Sequence, residues 1–238
     1  LIPGTNGWRE NMMFSKHSSE AKANLVSKLV FLQLSLYLVV DSINGFMMLG
    51  LGIDSSLSAL YKSILLIVLL MYLCVFLPRR MLFVLAAICA LSLGEIASIF
   101  LLDTNGSKIS FLFQHILKVL TPLILLFFLI DRSKKDRLFF ARILAVIQIN
   151  GLVFVCNMLA GVFGFGFSTY GQGGENMIGS KGYFYAGNEI SALLVVFCAF
   201  YLARAYLKNK LQFVVFAIFS LSIGLLVSTK TSMLAVIF

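Results

Sequence analysis

Ionisable side chains are scarce in this chain, so those inside apolar sequence stand out. Glu95, His115 and Lys118 interrupt two consecutive apolar runs. A carboxylate, an imidazole and an ammonium can together relay protons or line a polar cavity, and their cost inside a bilayer makes them markers of such paths. The same three groups can equally act as a structural cluster that locks two helices together. His115 precedes Lys118 by three positions, which puts both on one helical face. Glu95 lies seven residues before the end of its run and Lys118 nine residues into the next. At about 1.5 Å per residue their depths differ by about 3 Å, so packed consecutive helices can pair them.

A second set of residues surrounds a segment rich in glycine and tyrosine, Ser168 to Gly187. Glycines there permit close backbone approach, and Tyr183 and Tyr185 offer flat faces with polar tips. That mixture suits a sugar or a lipid headgroup, and it equally suits an interfacial aromatic belt. Asn188 is a good N-cap and Glu189 fits the positive end of a helix dipole, so a capped helix start explains both. Lys181 and Lys230 are cations that can hold a diphosphate, or lysines that snorkel to an interface. Gly174, Gly179, Ser180 and Lys181 only superficially resemble a phosphate loop: the order is Gly-Ser-Lys, and no strand precedes it. Cys74, Cys89, Cys156 and Cys198 all lie in apolar runs without metal-ligand spacing and read as soft core residues. The sequence calls for no metal and no cofactor.

The elements that must position these groups are long helices. Hydrophobic residues make up 60% of the 238 positions and charged residues 12%, with a mean hydropathy of +0.98. A soluble domain carries roughly twice that charge fraction. The apolar runs are continuous rather than alternating, which excludes a membrane β-barrel. Windows of about 20 apolar residues fall at 29–49, 60–77, 81–102, 109–130, 141–163, 187–207 and 211–227. A shorter run, 233–238, closes the chain. The predicted fold class is therefore all-α: a polytopic transmembrane helix bundle of about seven full spans plus a truncated eighth. It divides into an N-terminal cytoplasmic segment, 1–28, and a transmembrane domain, 29–238.

Lysine and arginine alternate between loops. Arg9, Lys16, Lys22 and Lys28 precede the first span; Arg79 and Arg80 follow the second; Arg132, Lys134, Lys135, Arg137 and Arg142 follow the fourth; Arg204, Lys208 and Lys210 follow the sixth. The other basic residues are Lys62, Lys108, Lys118, Lys181 and Lys230. The positive-inside rule then puts the N-terminus in the cytoplasm and the Ser168–Ala186 loop and Ser228–Ser232 turn outside. Topology accounts for the net charge of +9, so no nucleic-acid partner is expected; the bilayer is the expected partner. The chain opens without Met and shows no signal-peptide pattern. Met12 or Met13 is a candidate start, with residues 1–11 then outside the native chain. The final run of six apolar residues is too short to span, and the chain reads as the N-terminal part of a longer protein.

Lys181-Gly-Tyr-Phe-Tyr-Ala-Gly-Asn-Glu-Ile-Ser191 opens a span, a basic turn follows, and Ser228-Thr-Lys-Thr-Ser232 precedes the next apolar run. This arrangement resembles the O-antigen ligase and polysaccharide polymerase family of multi-span bacterial inner-membrane proteins. The family has a basic residue, then Gly, then an Asn-containing helix start, and a second basic residue in a Ser/Thr-rich turn about 45 to 50 positions on. The motifs match from Lys181 to Ser232; the rest matches in topology alone. Both basic positions, often Arg in the family, are Lys here, a point charge without the bidentate fork. The resemblance implies transfer of a glycan from an undecaprenyl-diphosphate donor to an acceptor sugar on the outer face of the plasma membrane, in capsule or O-antigen synthesis. Lys181 and Lys230 would stabilise the leaving diphosphate, and other polysaccharide-assembly proteins would be partners. The family's large outer loop, with functional Arg and His residues, would lie beyond Phe238, and His115 is in the wrong span to replace it. Two other readings compete: a flippase of lipid-linked sugars built around Glu95, His115 and Lys118, and a non-catalytic assembly partner.

Overall fold

The computed structural model describes residues 5–102, 109–170, 178–184 and 187–228, with side chains described throughout these except at 5–19, 95–102, 109–117, 170, 178 and 187–189. Among these residues there are seven α-helices: α1 (Thr5–Gly45), α2 (Leu57–Phe76), α3 (Pro78–Leu102), α4 (Ile109–Lys135), α5 (Phe139–Val162), α6 (Gly187–Lys208) and α7 (Lys210–Val227). Each of the seven long apolar runs falls on a helix, though α1 begins well before its run, and the run at 233–238 lies outside the described residues. The all-α expectation needs one correction. Two short strands, β1 (Phe167–Tyr170) and β2 (Ile178–Gly182), pair antiparallel inside the glycine-rich segment. The segment lets its backbone groups pair with each other instead of leaving them to water.

Local chemistry sets the ends. The residues before Leu29 are helical in continuity with the first apolar run, and α1 continues into a π-turn, Phe46–Gly50. Pro78 is the first residue of α3, where its missing N–H costs nothing. Asp136 Oδ1 accepts from Leu138 N at 2.9 Å in the turn before α5. Asn209 caps α7 by accepting from Leu211 N at 3.0 Å. Among the described residues five helical segments are long and apolar enough to cross a membrane: Glu20–Gly50 across α1 and its π-turn, α2, α5, Ile190–Lys208 of α6, and α7. Between 22% and 33% of each apolar window is buried within the protein. Large side chains such as Phe140, Phe163 and Leu207 point outward. In water each would forgo about 1.5–3 kcal/mol of burial; a lipid bilayer suits this surface.

The chain divides into two compact units. The first comprises Leu1–Gln33 and Lys62–Ile143. In it α3 and α4 are neighbours. Its core includes Val30, Phe31, Leu69, Leu73, Ile124 and Phe128. Phe128 meets Tyr72 edge-on at 4.9 Å and lies 5.9 Å from Phe31. The second comprises Leu34–Tyr61 and Leu144–Phe238. There α6 packs on α7, and β2 packs on α7. Phe154, Met158, Phe184, Ile190, Leu194, Ile223 and Val227 are its centre.

Candidate functional site

The second unit carries the hairpin that bears Lys181. Its register pairs Phe167 with Gly182 but Ser168 with Ser180. One step along β1 therefore matches two along β2, and Lys181 is the extra residue, a β-bulge. Bulges redirect a side chain and are frequent beside functional sites. The following residue must be glycine for two reasons. Gly182 has φ +59°, and a Cβ there would lie 2.3 Å from the carbonyl oxygen of Asn157. The hairpin is thus pressed against the backbone of α5.

Hydrogen bonds hold it on two sides. Tyr183 N donates to Asn157 Oδ1 at 3.2 Å. Asn157 Nδ2 in turn donates to Ser42 Oγ of α1 and to Val153 O, both at 2.9 Å. On the other side Thr169 Oγ1 donates to Val227 O at 3.0 Å, one of the orphan carbonyls at the end of α7. Gly179, at φ +75°, comes so close to α7 that a Cβ would fall 2.7 Å from that same oxygen and 2.9 Å from Ser228 Cβ. Ser228, with φ 56°, ends α7 in the left-handed conformation. The hairpin and Ser228, about 50 residues apart in sequence, meet at the end of α7.

The candidate residues divide accordingly. Lys181 is half-buried at the bulge. Tyr183 is a packing residue: its ring meets Phe46 edge-on at 5.2 Å and Phe167 at 6.2 Å. Phe184 is buried and stacks 6.2 Å from Phe154. The backbone of Asn188 and Glu189 lies in the first turn of α6, which begins at Gly187; their side chains, and all of Tyr185 and Lys230, lie outside the described residues. Lys118 is exposed on α4, while the side chains of Glu95 and His115 lie outside the described residues. Among the described residues no group of three or more His, Cys, Asp or Glu is placed to hold a metal.

Two polar constellations escaped the sequence reading. The first runs through the second unit: Ser58 Oγ donates to Asp41, Ser58 N donates to Asn44 Oδ1 at 3.2 Å, and Asn150 reaches across to α1. Asn150 Oδ1 accepts from Leu38 N at 3.1 Å while its Nδ2 donates to Leu34 O at 2.9 Å. These are the donor and acceptor that one turn of a regular helix joins. The second lies in the first unit. Asp131, 5% exposed, accepts from Tyr72 Oη at 2.7 Å and pairs with Lys135 at 2.7 Å. Arg132, 2% exposed, donates to Asn24 Oδ1 and lies 3.9 Å from Asp136, which also pairs with Arg142. The Arg142 guanidinium sits 5.8 Å over the Phe31 ring. Polar residues on helices that otherwise read apolar were the available signal.

Comparison with protein-family descriptions, with curated proteins and with solved structures gave no match to this chain.

Proposed function

We propose that this is a polytopic protein of the bacterial plasma membrane, crossing about seven times with a cytoplasmic N-terminus, that works in the assembly of cell-envelope polysaccharide. It transfers a glycan from an undecaprenyl-diphosphate carrier to an acceptor sugar on the outer face, as a polymerase or ligase of capsule or O-antigen chains. The bond between the anomeric carbon and the diphosphate breaks, and the acceptor oxygen, giving up its proton to a general base, forms the new glycosidic bond. Cations at the departing diphosphate stabilise the charge that develops there. Lys181 and Lys230 take that role in this reading.

The observation that carries it is the meeting of the two motifs. The Lys181 bulge belongs to a hairpin seated on the end of α7 at Ser228, two residues before Lys230 in sequence. A glycine-rich strand that only packed helices would not need its basic residue redirected by a bulge. The test is polymer analysis in cells carrying the whole protein. Lys181→Ala and Lys230→Ala abolish or shorten the polymer, and Lys181→Arg retains it. Normal length and yield in both alanine variants would end this reading.

A carboxylate inside a candidate span, Asp41 with the Ser58 hydroxyl, supports a second reading as a flippase of lipid-linked sugars. Loss of polymer in cells with Glu95→Gln and Lys118→Met, or with Asp41→Asn, while donor lipid still accumulates on the outer face, would exclude transport.

A further inference from the structure

We infer that Asn157 is the positioning residue of this site: its carboxamide clamps the Lys181 bulge to α5 and α1, and so sets where the ammonium group is presented. The inference rests on the reading of Lys181 given above. Asn157 is 7% exposed and lies inside a helix long and apolar enough to cross a membrane. A buried amide there is costly unless its polar atoms are paired. Both are: Oδ1 takes the Tyr183 N–H two residues past Lys181, and Nδ2 reaches Ser42 Oγ and Val153 O.

The contact is specific in shape as well as in polarity. Gly182 lies directly against the Asn157 backbone, and Gly161, one turn along α5, lies against Ser180. The residues on either side of Lys181 are therefore both seated on α5, leaving the bulged residue between them as the one displaced from the pairing register. Asn157 supplies the side-chain hydrogen bond from α5 that holds this seat. Without it the Tyr183 N–H is left unpaired against an apolar helix, and the hairpin is released to regain water.

Trypsin reports the seat directly, because cleavage after Lys181 requires the docked hairpin to open. The protein is taken whole, in detergent, and the Lys181–Gly182 cut is followed by mass spectrometry; polymer length is followed in cells. Asn157→Leu, close in size and apolar, raises the cleavage rate about tenfold, the factor that about 1.4 kcal/mol represents, and shortens or abolishes polymer. Asn157→Gln keeps both an acceptor and a donor without adding a charge and recovers part of both readouts, which a general loss of helix packing would not allow. Ser42→Ala removes one partner of the amide without touching α5; it gives a smaller rise of about threefold and serves if Asn157→Leu does not fold. Unchanged cleavage in Asn157→Leu or, in its place, in Ser42→Ala overturns the clamp. Faster cleavage with normal polymer overturns the positioning role. Faster cleavage and lost polymer, together with normal polymer in Lys181→Ala, leaves the clamp standing and removes Lys181 from the chemistry.

Discussion

Gly182→Ala is the sharpest structural perturbation available, because the cost has two separable parts. The first is conformational. Gly182 sits at φ +59°, where an L-residue with a Cβ pays about 1–2 kcal/mol. The second is steric: the new Cβ would lie 2.3 Å from the Asn157 carbonyl oxygen and 2.7 Å from its carbon. These are backbone atoms of α5 and cannot swing aside, so overpacking adds about 1–3 kcal/mol. A sum of about 3 kcal/mol corresponds to roughly a hundredfold increase in hairpin opening. Hydrogen exchange of the 178–184 segment, measured by mass spectrometry on the whole protein, reads that opening. Two internal comparisons separate the terms. Gly52 has φ +65° and nothing within 4 Å of the place a Cβ would take, so Gly52→Ala carries only the conformational part, about 1–2 kcal/mol. Gly94 is helical and equally open, so Gly94→Ala is neutral or stabilises by about 0.5–1 kcal/mol. If Gly182→Ala leaves exchange in the hairpin within threefold of the parent, the close seating of β2 on α5 is wrong.

Other outcomes follow from the buried polar groups and the apolar surface. Arg132→Ala removes a buried guanidinium that donates to Asn24 and lowers stability by about 1.5–3 kcal/mol, the worth of a hydrogen bond to a charged group, seen as a lower unfolding midpoint in detergent. Lys135→Ala, whose ammonium side chain is 55% exposed beside Asp131, costs under about 1 kcal/mol in the same assay. Asn209→Ala removes the α7 cap and costs about 1 kcal/mol, whereas Asn209→Ser recovers most of it. Cys74, Cys89 and Cys156 are exposed on helical surfaces and Cys198 is buried; because the thiolate is the reacting form and hydrocarbon disfavours it, the first three label slowly with an impermeant maleimide in native membranes and rapidly after denaturation. Rapid labelling of all three by the impermeant reagent would contradict a lipid-facing surface.

The helices are legible in the sequence because the apolar runs are long and cleanly separated, so their positions follow from hydropathy alone. What hydropathy misses is where a helix continues past its apolar stretch. It ends the fourth run at Ile130 and leaves Asp131, Arg132, Lys134 and Lys135 to a solvated loop. Instead α4 continues to Lys135. One more turn of helix carries Asp131 and Arg132 inward, to Tyr72 and Asn24, while Lys134 and Lys135 stay outside. Cations in the last turn also favour that extension through the helix dipole. The hairpin is hidden for a different reason. Its strands are four and five residues long and their glycines argue against strand. A bulge exists only relative to a partner strand, so no pattern within 178–182 alone could mark Lys181 as the displaced residue. Lys181 itself is legible as a cation in an unusual setting; Asn157, which fixes its neighbours, is not, because attention to ionisable groups passes over neutral amides.

Those amides show how an apolar helix assembly can be specific. A charge buried in such a setting needs a partner and costs several kcal/mol without one. An amide offers a donor and an acceptor on one rigid plane and carries no net charge. Asn150 uses both on the backbone of α1, at Leu34 O and Leu38 N. Asn157 uses both to join α1, α5 and the hairpin. Asn44 ties α1 to the start of α2. Leucine at any of these positions would retain the apolar contact but lose the choice of register, since apolar side chains slide past one another at little cost while an amide fits only where its two partners are correctly spaced. The hairpin's seat depends on that register: moving α5 along its axis by one residue, about 1.5 Å, would take Asn157 Oδ1 out of reach of Tyr183 N and its backbone out from under Gly182. The neutral polar residues of the spans are thus what ties the placement of Lys181 to the packing of the helices beneath it.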